Sequence, residues 1–313
     1  RHPEKVEGVA WSPDGRWIVT AGGDTVQVRL ATTGRLLHDF GKQASSSDAA
    51  WSGDGKRLAI LCSRSLAVYD VSDWSVAWQC EHDLFLKQHL VWLPTINRIA
   101  SWDMVGNVKS WQAETGRPGP AISLGGGLAT QVAWSPNSRW VLTSDLMGTI
   151  SGFDAETGKL VRRFPGEGES LAAGSWSSSG HLVTAGKGTL VIRDARREFL
   201  EGDVLRAGPT SVNCIAWSPD GRLLASGGDD GKVVFWEVAG RREASRWLQD
   251  LPWAVTGIGW SPDGERLAFS THLGFETREV NSGKPLLRSR GEGDEQMSAA
   301  TWSPDGTTLA FSN

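Results

Sequence analysis

The chain alternates short apolar runs with turns that are rich in glycine, proline and aspartate. Residues 212–217, 223–226 and 233–236 form three such runs, and the turns at 218–221 (Ser-Pro-Asp-Gly) and 227–231 separate them. Proline presets the first central position of a tight turn, and glycine tolerates the left-handed conformation that closes a hairpin. Because no ten-residue stretch has the 3.6-residue period of an amphipathic helix, the pattern predicts an all-β chain.

One pentapeptide recurs along the chain at a nearly constant distance. Trp-Ser-Pro-Asp-Gly begins at Trp11, Trp217, Trp260 and Trp302, and degraded copies begin at Trp51, Trp92, Trp134 and Trp176. Successive anchor tryptophans are 40 to 43 residues apart. An aliphatic residue follows every anchor by seven positions, at Ile18, Leu58, Ile99, Val141, Val183, Leu224, Leu267 and Leu309. These anchors account for eight of the 17 tryptophans and indicate one repeated structural position.

Each repeat contains four predicted strands. A Thr/Ser-Gly-basic tripeptide marks the turn between the third and fourth strands at 33–35, 115–117, 157–159 and 282–284. Four-stranded units at a period of about 40 to 45 residues are typical of a β-propeller. We therefore predict a single β-propeller over residues 1–313, made of four-stranded antiparallel blades, with the anchor tryptophans filling space between neighbouring blades.

The number of blades is open at this point. Eight anchors exist, but only two strands of the eighth unit precede the last residue, Asn313. In a ring of seven blades, Trp302 would claim the place already held by Trp11. A lone hairpin needs packing to be stable. Eight blades with an incomplete last one are therefore favoured and seven are the alternative, and in either case we expect a longer parent polypeptide.

The best-preserved repeat resembles the tryptophan–aspartate (WD) repeat family. Residues 223–237 read L-L-A-S-G-G-D-D-G-K-V-V-F-W-E, close to the family pattern. The place of the namesake dipeptide is assigned to Trp236-Glu237, Trp111-Gln112, Tyr69-Asp70, Phe153-Asp154, Arg193-Asp194, Leu30-Ala31 and Glu279-Val280. The resemblance implies a buried Asp-His-Ser-Trp network, of which Asp230, Ser226 and Trp236 are present. Pro209 stands at the histidine place, so that network is incomplete.

Composition and charge argue against several classes of partner and indicate a cellular location. Lys plus Arg is 32 and Asp plus Glu is 36, a net charge of −4, which argues against a nucleic-acid partner. No apolar run approaches the length of a membrane span, so no membrane partner is expected. Three cysteines, Cys62, Cys80 and Cys214, do not make a disulfide framework and favour a reducing, cytoplasmic location.

No motif for catalysis, cofactor binding or metal binding is present in the sequence. The chain has no phosphate-binding loop, no nucleophile elbow and no His-Glu-x-x-His string. Glu81, His82, Asp83 and His89 fall in one predicted loop, for which a solvated polar loop is favoured over a metal site. We therefore expect a non-enzymatic protein without a cofactor or metal.

Loop lengths distinguish two faces of the predicted propeller. Loops from strand four to strand one and from strand two to strand three open on one face, called here the variable-loop face; the short turns open on the other, the turn face. Variable loops on a rigid frame tend to carry recognition. Acidic residues outnumber basic ones about two to one on the variable-loop face, at positions such as Asp48, Asp103, Asp145, Asp229 and Asp230.

Apolar residues on the variable-loop face indicate a binding surface. Aromatic and methionine side chains are enriched in interface cores. The residues that we predict to contact a partner are Phe85, Trp102, Met104, Leu146, Met147 and Trp253. The expected partner is a protein or peptide segment with basic and apolar residues, which could belong to another domain of the same polypeptide.

The function predicted from these features is an interaction platform or sensor module. The resemblance to the WD family implies a non-catalytic scaffold. The strings at 261–269 and 303–311 also look like those of TolB-type and peptidase-associated propellers. A gate or substrate filter for an attached hydrolase is therefore the alternative.

Overall fold

Strands make up nearly all regular structure in the described part of the chain. The computed structural model describes residues 6, 8–22, 25–42, 46–62, 64–82, 88–103, 107–123, 129–145, 149–164, 173–194, 202–240, 242–247, 253–271, 274–290 and 299–312. Contacts divide the chain into two units. The first comprises Arg1–Val132, Asn137–Thr143 and Ser151–Arg162, and the second comprises Ala133–Pro136, Ser144–Ile150 and Arg163–Asn313.

The first unit contains three four-stranded antiparallel sheets, called blades 1 to 3. They are β1 (Gly8–Trp11), β2 (Trp17–Gly22), β3 (Thr25–Leu30) and β4 (Leu36–Lys42); β5 (Ser46–Trp51), β6 (Arg57–Cys62), β7 (Ser65–Asp70) and β8 (Val76–Glu81); and β9 (Gln88–Leu93), β10 (Arg98–Asp103), β11 (Asn107–Gln112) and β12 (Ile122–Ser123). A single 3-10 turn, Pro94–Ile96, replaces the usual hairpin turn between β9 and β10. Blade 4 consists of β13 (Ala129–Trp134), β14 (Trp140–Asp145), β15 (Ile150–Asp154) and β16 (Leu160–Phe164), and its residues are divided between the units.

The second unit contains blades 5 to 7 and a final hairpin. Its strands are β17 (Ala173–Trp176), β18 (His181–Ala185), β19 (Lys187–Asp194), β20 (Gly202–Trp217), β21 (Leu223–Gly228), β22 (Val233–Glu237), β23 (Arg242–Trp247), β24 (Val255–Trp260), β25 (Arg266–Thr271), β26 (Gly274–Glu279), β27 (Pro285–Arg290), β28 (Ala299–Trp302) and β29 (Leu309–Ser312). The predicted all-β class with four-stranded antiparallel blades is confirmed. The number of blades and the extent of a single propeller stay predictions.

One strand departs from the four-stranded plan. We expected a strand to begin at Val212, but β20 runs from Gly202 through Trp217 without interruption. Its first half pairs with β19 and its second half with β21, so blades 5 and 6 form one seven-stranded sheet. The amide N–H of Asp229 donates to the carbonyl oxygen of Ser211 at 3.1 Å, which helps to keep the connecting backbone extended.

The two sequence columns are cross-strand partners. Trp51 lies opposite Leu58 and Trp260 lies opposite Leu267, and both leucines are fully buried. Opposite residues in an antiparallel pair share a face of the sheet and pack together. Blade 5 differs, because its turn is one residue shorter and Trp176 therefore lies opposite Leu182 rather than Val183.

Anchor indoles join neighbouring blades. The Nε1 of Trp51 donates to the carbonyl oxygen of Ala10, the residue before the preceding anchor, at 3.3 Å. The same bond recurs in the second unit from Trp217, Trp260 and Trp302 to the carbonyl oxygens of Ser175, Ala216 and Gly259, at 3.2, 3.0 and 3.1 Å. Each of these four tryptophans thus adds a directional contact between blades to its apolar packing.

Two of the assigned dipeptides are shifted by one residue. Leu224 lies opposite Trp236, and the equivalent partners are Arg29 in blade 1 and Arg278 in blade 7. The pairs Leu30-Ala31 and Glu279-Val280 were therefore wrong, and an arginine occupies the tryptophan place in both blades. Counting residues from the anchor misses this shift, because the loops between the second and third strands differ in length.

A serine and an aspartate build the recurring hairpin turn. In blade 6 the hydroxyl of Ser218 donates to Asp220 Oδ1 at 2.6 Å, and the same oxygen accepts the N–H of Arg222 at 3.0 Å. The hydroxyl oxygen of Ser218 also accepts the N–H of Leu223 at 2.9 Å. Turns at 12–15, 52–55, 261–264 and 303–306 have the same bonds. Buried serines therefore explain why Ser follows the anchor so often.

Acid is expected to destabilise these turns. Hydrogen bonds from Ser218 and from the Arg222 N–H hold the pKa of Asp220 below 3.8, and the Ser52 hydroxyl does the same for the pKa of Asp54. A carboxyl with a lower pKa in the folded state stabilises the fold above its unfolded pKa, and this stabilisation is lost as pH falls through the folded pKa. We expect the melting temperature to drop as the pH falls from about 5 through the lowered pKa values of these aspartates.

Asparagine variants test this origin of acid sensitivity. Asn137 already occupies the equivalent place in blade 4, where its Oδ1 accepts the N–H of Arg139 at 3.1 Å. A variant with asparagine at Asp54, Asp220 and Asp263 should fold and should lose less stability in acid than the parent chain. An identical pH profile for the two proteins, measured by thermal melts, would contradict this explanation.

Candidate interaction face

Two of the six predicted contact residues lie in the described part of the chain. Trp102 is the penultimate residue of β10 in the first unit and is partly exposed. Trp253 precedes β24 in the second unit and is 43% exposed. The other four, at positions 85, 104, 146 and 147, lie outside the described residues. The predicted site therefore stays a prediction as a set, and Trp102 offers the best-defined geometry within it.

Trp102 forms an aromatic pair with His89, which was expected in a solvated polar loop and not among the residues that contact a partner. His89 in β9 lies directly opposite Trp102, and their rings are 5.4 Å apart at an angle of 29°. Residues opposite each other in adjacent antiparallel strands point to the same face of the sheet. The imidazole thus supports one side of the indole at the end of blade 3 that belongs to the variable-loop face.

An aspartate from the neighbouring blade completes this cluster. Asp48 Oδ2 lies 3.8 Å from His89 Nδ1 and accepts the backbone N–H of Leu90 at 3.0 Å. Asp48 Oδ1 accepts the backbone N–H of the next residue, Ala49, at 2.9 Å. Gly8 leaves room on the other side, because a Cβ there would lie 2.6 Å from Asp48 Oδ1. We call Asp48, His89 and Trp102 the blade 2–3 cluster.

Repeat positions explain how this cluster forms. Gly8, Asp48 and His89 each precede an anchor tryptophan by three residues, on the first strand of blades 1, 2 and 3. Equivalent positions on adjacent first strands lie side by side, so a glycine, an acid and an imidazole meet. The repeat register could have revealed His89, but only the cross-strand pairing shows that it supports Trp102.

Several acids of the variable-loop face hold their own loops in place. Asp103 accepts the backbone N–H and the side-chain N–H of Asn107, both at 3.0 Å, and is 1% exposed. Asp145 accepts the N–H of Thr149 at 2.8 Å, and Asp230 binds Lys232 Nζ at 2.8 Å. Asp103 was expected on the surface and is buried instead, because it closes the strand-two to strand-three loop.

His82 is a structural residue of blade 3. It was expected in a solvated loop with Glu81, Asp83 and His89, but it is 3% exposed. Its Nε2 lies 2.8 Å from Ser101 Oγ, and its ring lies 5.6 Å from that of Trp111. In blade 6, Trp236 Nε1 donates to Ser226 Oγ at 2.8 Å, and Pro209 stands at the place of the histidine.

Within the described residues, no group of three or more His, Cys, Asp or Glu side chains is arranged to hold a metal ion. Burial raises the pKa of the Cys62 thiol to about 11 and that of Cys214 to about 12, so both remain protonated near neutral pH. In the part of the chain that the structure describes, no helix is long and apolar enough to span a membrane.

Comparison with known proteins identifies the repeat. Residues 1–28 and 202–237 match the family model described as WD domain, G-beta repeat. The chain carries WD repeats in these two regions. The sequence resemblance is thus confirmed, and the second match covers the strand pair that contains Ser226 and Trp236.

Two curated relatives share a short segment with this chain. Both are called probable cytosolic iron-sulfur protein assembly protein 1, from two strains (JEC21 and B-3501A) of Cryptococcus neoformans var. neoformans serotype D. Each is 54% identical over 35 residues, which is 11% of this chain and 8% of the relative. The likeness therefore concerns a short segment and not the whole relative.

Proposed function

We propose that this WD-repeat chain is a protein-interaction platform that binds a protein or peptide segment at its variable-loop face. WD repeats imply a scaffold for protein interactions. The observation that supports this particular face is the blade 2–3 cluster, where a partly exposed indole is held against an imidazole beside a carboxylate. The proposal includes a non-enzymatic role and a cytoplasmic location.

The chemistry of this cluster suits a segment with basic and apolar side chains. An indole presents a large apolar face and attracts cations through its π-system. Asp48 supplies a carboxylate on the neighbouring blade. Because His89 and the backbone bonds of Asp48 hold the cluster in one geometry, a ligand would spend little free energy on ordering it.

The name of the two relatives contains the word cytosolic, which is consistent with the proposed cytoplasmic location. Three free thiols, at Cys62, Cys80 and Cys214, agree with a reducing compartment. Assembly of iron-sulfur proteins is the stated role of those relatives, and the short match does not extend it to this chain.

Peptides selected for binding to the full chain provide the test. We expect selection from a random displayed library to enrich segments with basic and apolar residues. Trp102→Ala should weaken the selected peptides about thirtyfold, equivalent to about 2 kcal/mol for a central aromatic contact. Isothermal titration calorimetry measures the change, and circular dichroism checks that the variant is folded.

Leu287→Ala is the matched control, because Leu287 is 55% exposed in the middle of β27 and does not belong to a loop of the variable-loop face. Its peptide affinities should equal those of the parent chain. If folded Trp102→Ala binds every selected peptide as tightly as the parent does, the proposed face is wrong.

A further inference from the structure

Two pairs of neighbouring turns are built alike on the turn face. The turns at 261–264 and 303–306 touch where Pro262 lies 3.3 Å from the position of a Cβ on Gly306. The turns at 12–15 and 52–55 touch in the same way, with Pro13 at 3.6 Å from the corresponding position on Gly55. The two pairs occupy identical places in their repeats, so their side chains can be compared position by position.

Arg266 connects the two turns of the first pair. Arg266 Nη2 donates to Asp263 Oδ2 at 3.0 Å and to the carbonyl oxygen of Gly306 at 2.8 Å. Its guanidinium carbon lies 4.9 Å from the centre of the Trp302 ring. A carboxylate, a carbonyl and an indole face together satisfy the charge, the hydrogen bonds and the flat surface of a guanidinium.

The second pair has the same acceptors without the arginine. Six residues after the anchor, where blade 7 has Arg266, blade 1 has Trp17, whose ring lies 5.8 Å from that of Trp51. Asp14 Oδ1 accepts the Ser12 hydroxyl and the Arg16 N–H, as Asp263 Oδ1 does in its own turn. No described residue donates to Asp14 Oδ2 or to the carbonyl oxygen of Gly55.

A groove lies over these acceptors. It has a volume of about 330 Å³ and is lined by Ser12, Pro13, Asp14, Trp17, Asp54 and Gly55. Asp54 adds a second carboxylate, whose Oδ1 is used by the Ser52 hydroxyl and the Lys56 N–H. The lining therefore combines two acids and an indole, and it contains no basic side chain.

We propose that this groove, called the blade 1–2 socket, binds the guanidinium group of an arginine from another protein segment. The arginine would donate to Asp14 and to the Gly55 carbonyl, the acceptors that correspond to those of Arg266. It would stack on Trp17, which takes the place of Arg266 in blade 1 and packs against Trp51. Arginine suits the site better than lysine, because its planar fork can reach both acceptors at once.

Surrounding charges define the segment further. Arg16 and Lys56 belong to the two turns of the socket, where their N–H groups bind Asp14 and Asp54, and both side chains are exposed. They would repel a run of basic residues. The ligand is therefore a single arginine flanked by neutral or acidic residues, which differs from the basic and apolar segment proposed for the variable-loop face.

The probe is the peptide acetyl-Glu-Ala-Arg-Ala-Glu-amide, titrated into the isotopically labelled full chain and followed by NMR. We expect saturable shifts of the Trp17 indole N–H and the Gly55 amide, with a Kd of about 1 mM for so small a contact. The lysine version should bind about tenfold more weakly, and the citrulline version, which has the same shape without charge, should not saturate.

Three variants make the test specific. Asp14→Asn should weaken the arginine peptide about tenfold and stay folded, since Asn137 holds the same turn in blade 4. Trp17→Arg should place a guanidinium in the socket as in blade 7 and abolish binding. Asp220→Asn, the same change in blade 6 beside Arg222, is the control and should leave the affinity unchanged.

Three results would each overturn the proposal. They are equal affinity for the arginine and citrulline peptides, unchanged affinity in Asp14→Asn, or no saturation of the Trp17 and Gly55 signals up to about 50 mM peptide. If Trp17→Arg does not fold, the affinity of Asp14→Asn for the arginine peptide alone tests the proposal. Because the socket and the blade 2–3 cluster lie at opposite ends of the strands, either binding site can fail without the other.

Discussion

Replacing Glu276 by leucine is expected to lower the free energy of unfolding by about 3 to 5 kcal/mol, the usual cost of leaving one member of a buried ion pair alone. Glu276 and Arg278 lie on one face of β26 and are 4% and 8% exposed. Arg278 Nε and Nη2 donate to Glu276 Oε1 at 2.6 and 2.5 Å. The leucine variant removes that carboxylate and leaves the guanidinium buried.

Blade 1 supplies the matched control for this change. At the equivalent positions Gln27 Oε1 accepts Arg29 Nη2 at 2.7 Å, and Arg29 Nη1 donates to the carbonyl oxygen of Gly34 at 2.9 Å, just as Arg278 donates to Gly283. Glu276→Gln should keep this acceptor for Arg278 and therefore cost only about 1 kcal/mol. The two blades differ at the amide nitrogen, because Gln27 Nε2 donates to Asp39, whereas Arg288 lies 3.4 Å from Glu276 Oε2. Urea denaturation measures both variants against the parent chain.

A double variant separates loss of the pair from loss of packing. Glu276→Leu combined with Arg278→Met removes both charges, so it should be more stable than Glu276→Leu alone. Equal losses in Glu276→Leu and Glu276→Gln would show that the hydrogen bonds to Arg278 do not stabilise blade 7, and our interpretation of this ion pair would then be wrong.

Local turn chemistry made the blades predictable from sequence. The Ser-Pro-Asp-Gly string sets its own geometry through bonds between residues two to five apart, such as those from Ser218, so its spacing indicates where each hairpin lies. The aliphatic column was predictable for the same reason, because the turn length places Leu58 opposite Trp51. Blade 5 breaks the rule where its turn is shorter.

Features that depend on distant partners were not predictable. His82 is buried by a hydrogen bond to Ser101, 19 residues away, so its local sequence, rich in charges, indicated a solvated loop. The continuity of β20 depends on pairing with two different strands. The shift of the namesake position to Arg29 and Arg278 follows from loop lengths that only the strand register shows.

The candidate sites also combine features that the local sequence predicts with features that depend on distant partners. Composition and loop position placed Trp102 on the variable-loop face, and its partial exposure agrees with that. Its support by His89 depends on cross-strand register, and the role of Asp48 depends on the neighbouring blade. The blade 1–2 socket was not predictable from the sequence of 12–17, because its acceptors come from two neighbouring blades and their likeness to the acceptors of Arg266 depends on the folded structure.

A second large loss of stability is expected for Gly116→Ala, which should cost about 3 kcal/mol through two separate effects. Gly116 has a φ of 69°, in the left-handed region that disfavours side chains. A Cβ at this position would also lie 2.7 Å from Trp78 Cε3. Trp78 has little freedom to retreat, because its Nε1 donates to the carbonyl oxygen of Ala113 at 2.8 Å.

Gly34→Ala isolates the backbone effect, because Gly34 has a φ of 68° at the equivalent turn of blade 1 and nothing lies within 4 Å of its Cβ position. It should cost about 1 kcal/mol, from left-handed strain alone. Thermal denaturation of the two variants compares these losses, and the NMR signal of the Trp78 indole N–H should move only in Gly116→Ala. Equal melting temperatures would mean that Trp78 yields freely, and the contact between blade 2 and the turn at Gly116 would then contribute little to joining the two blades.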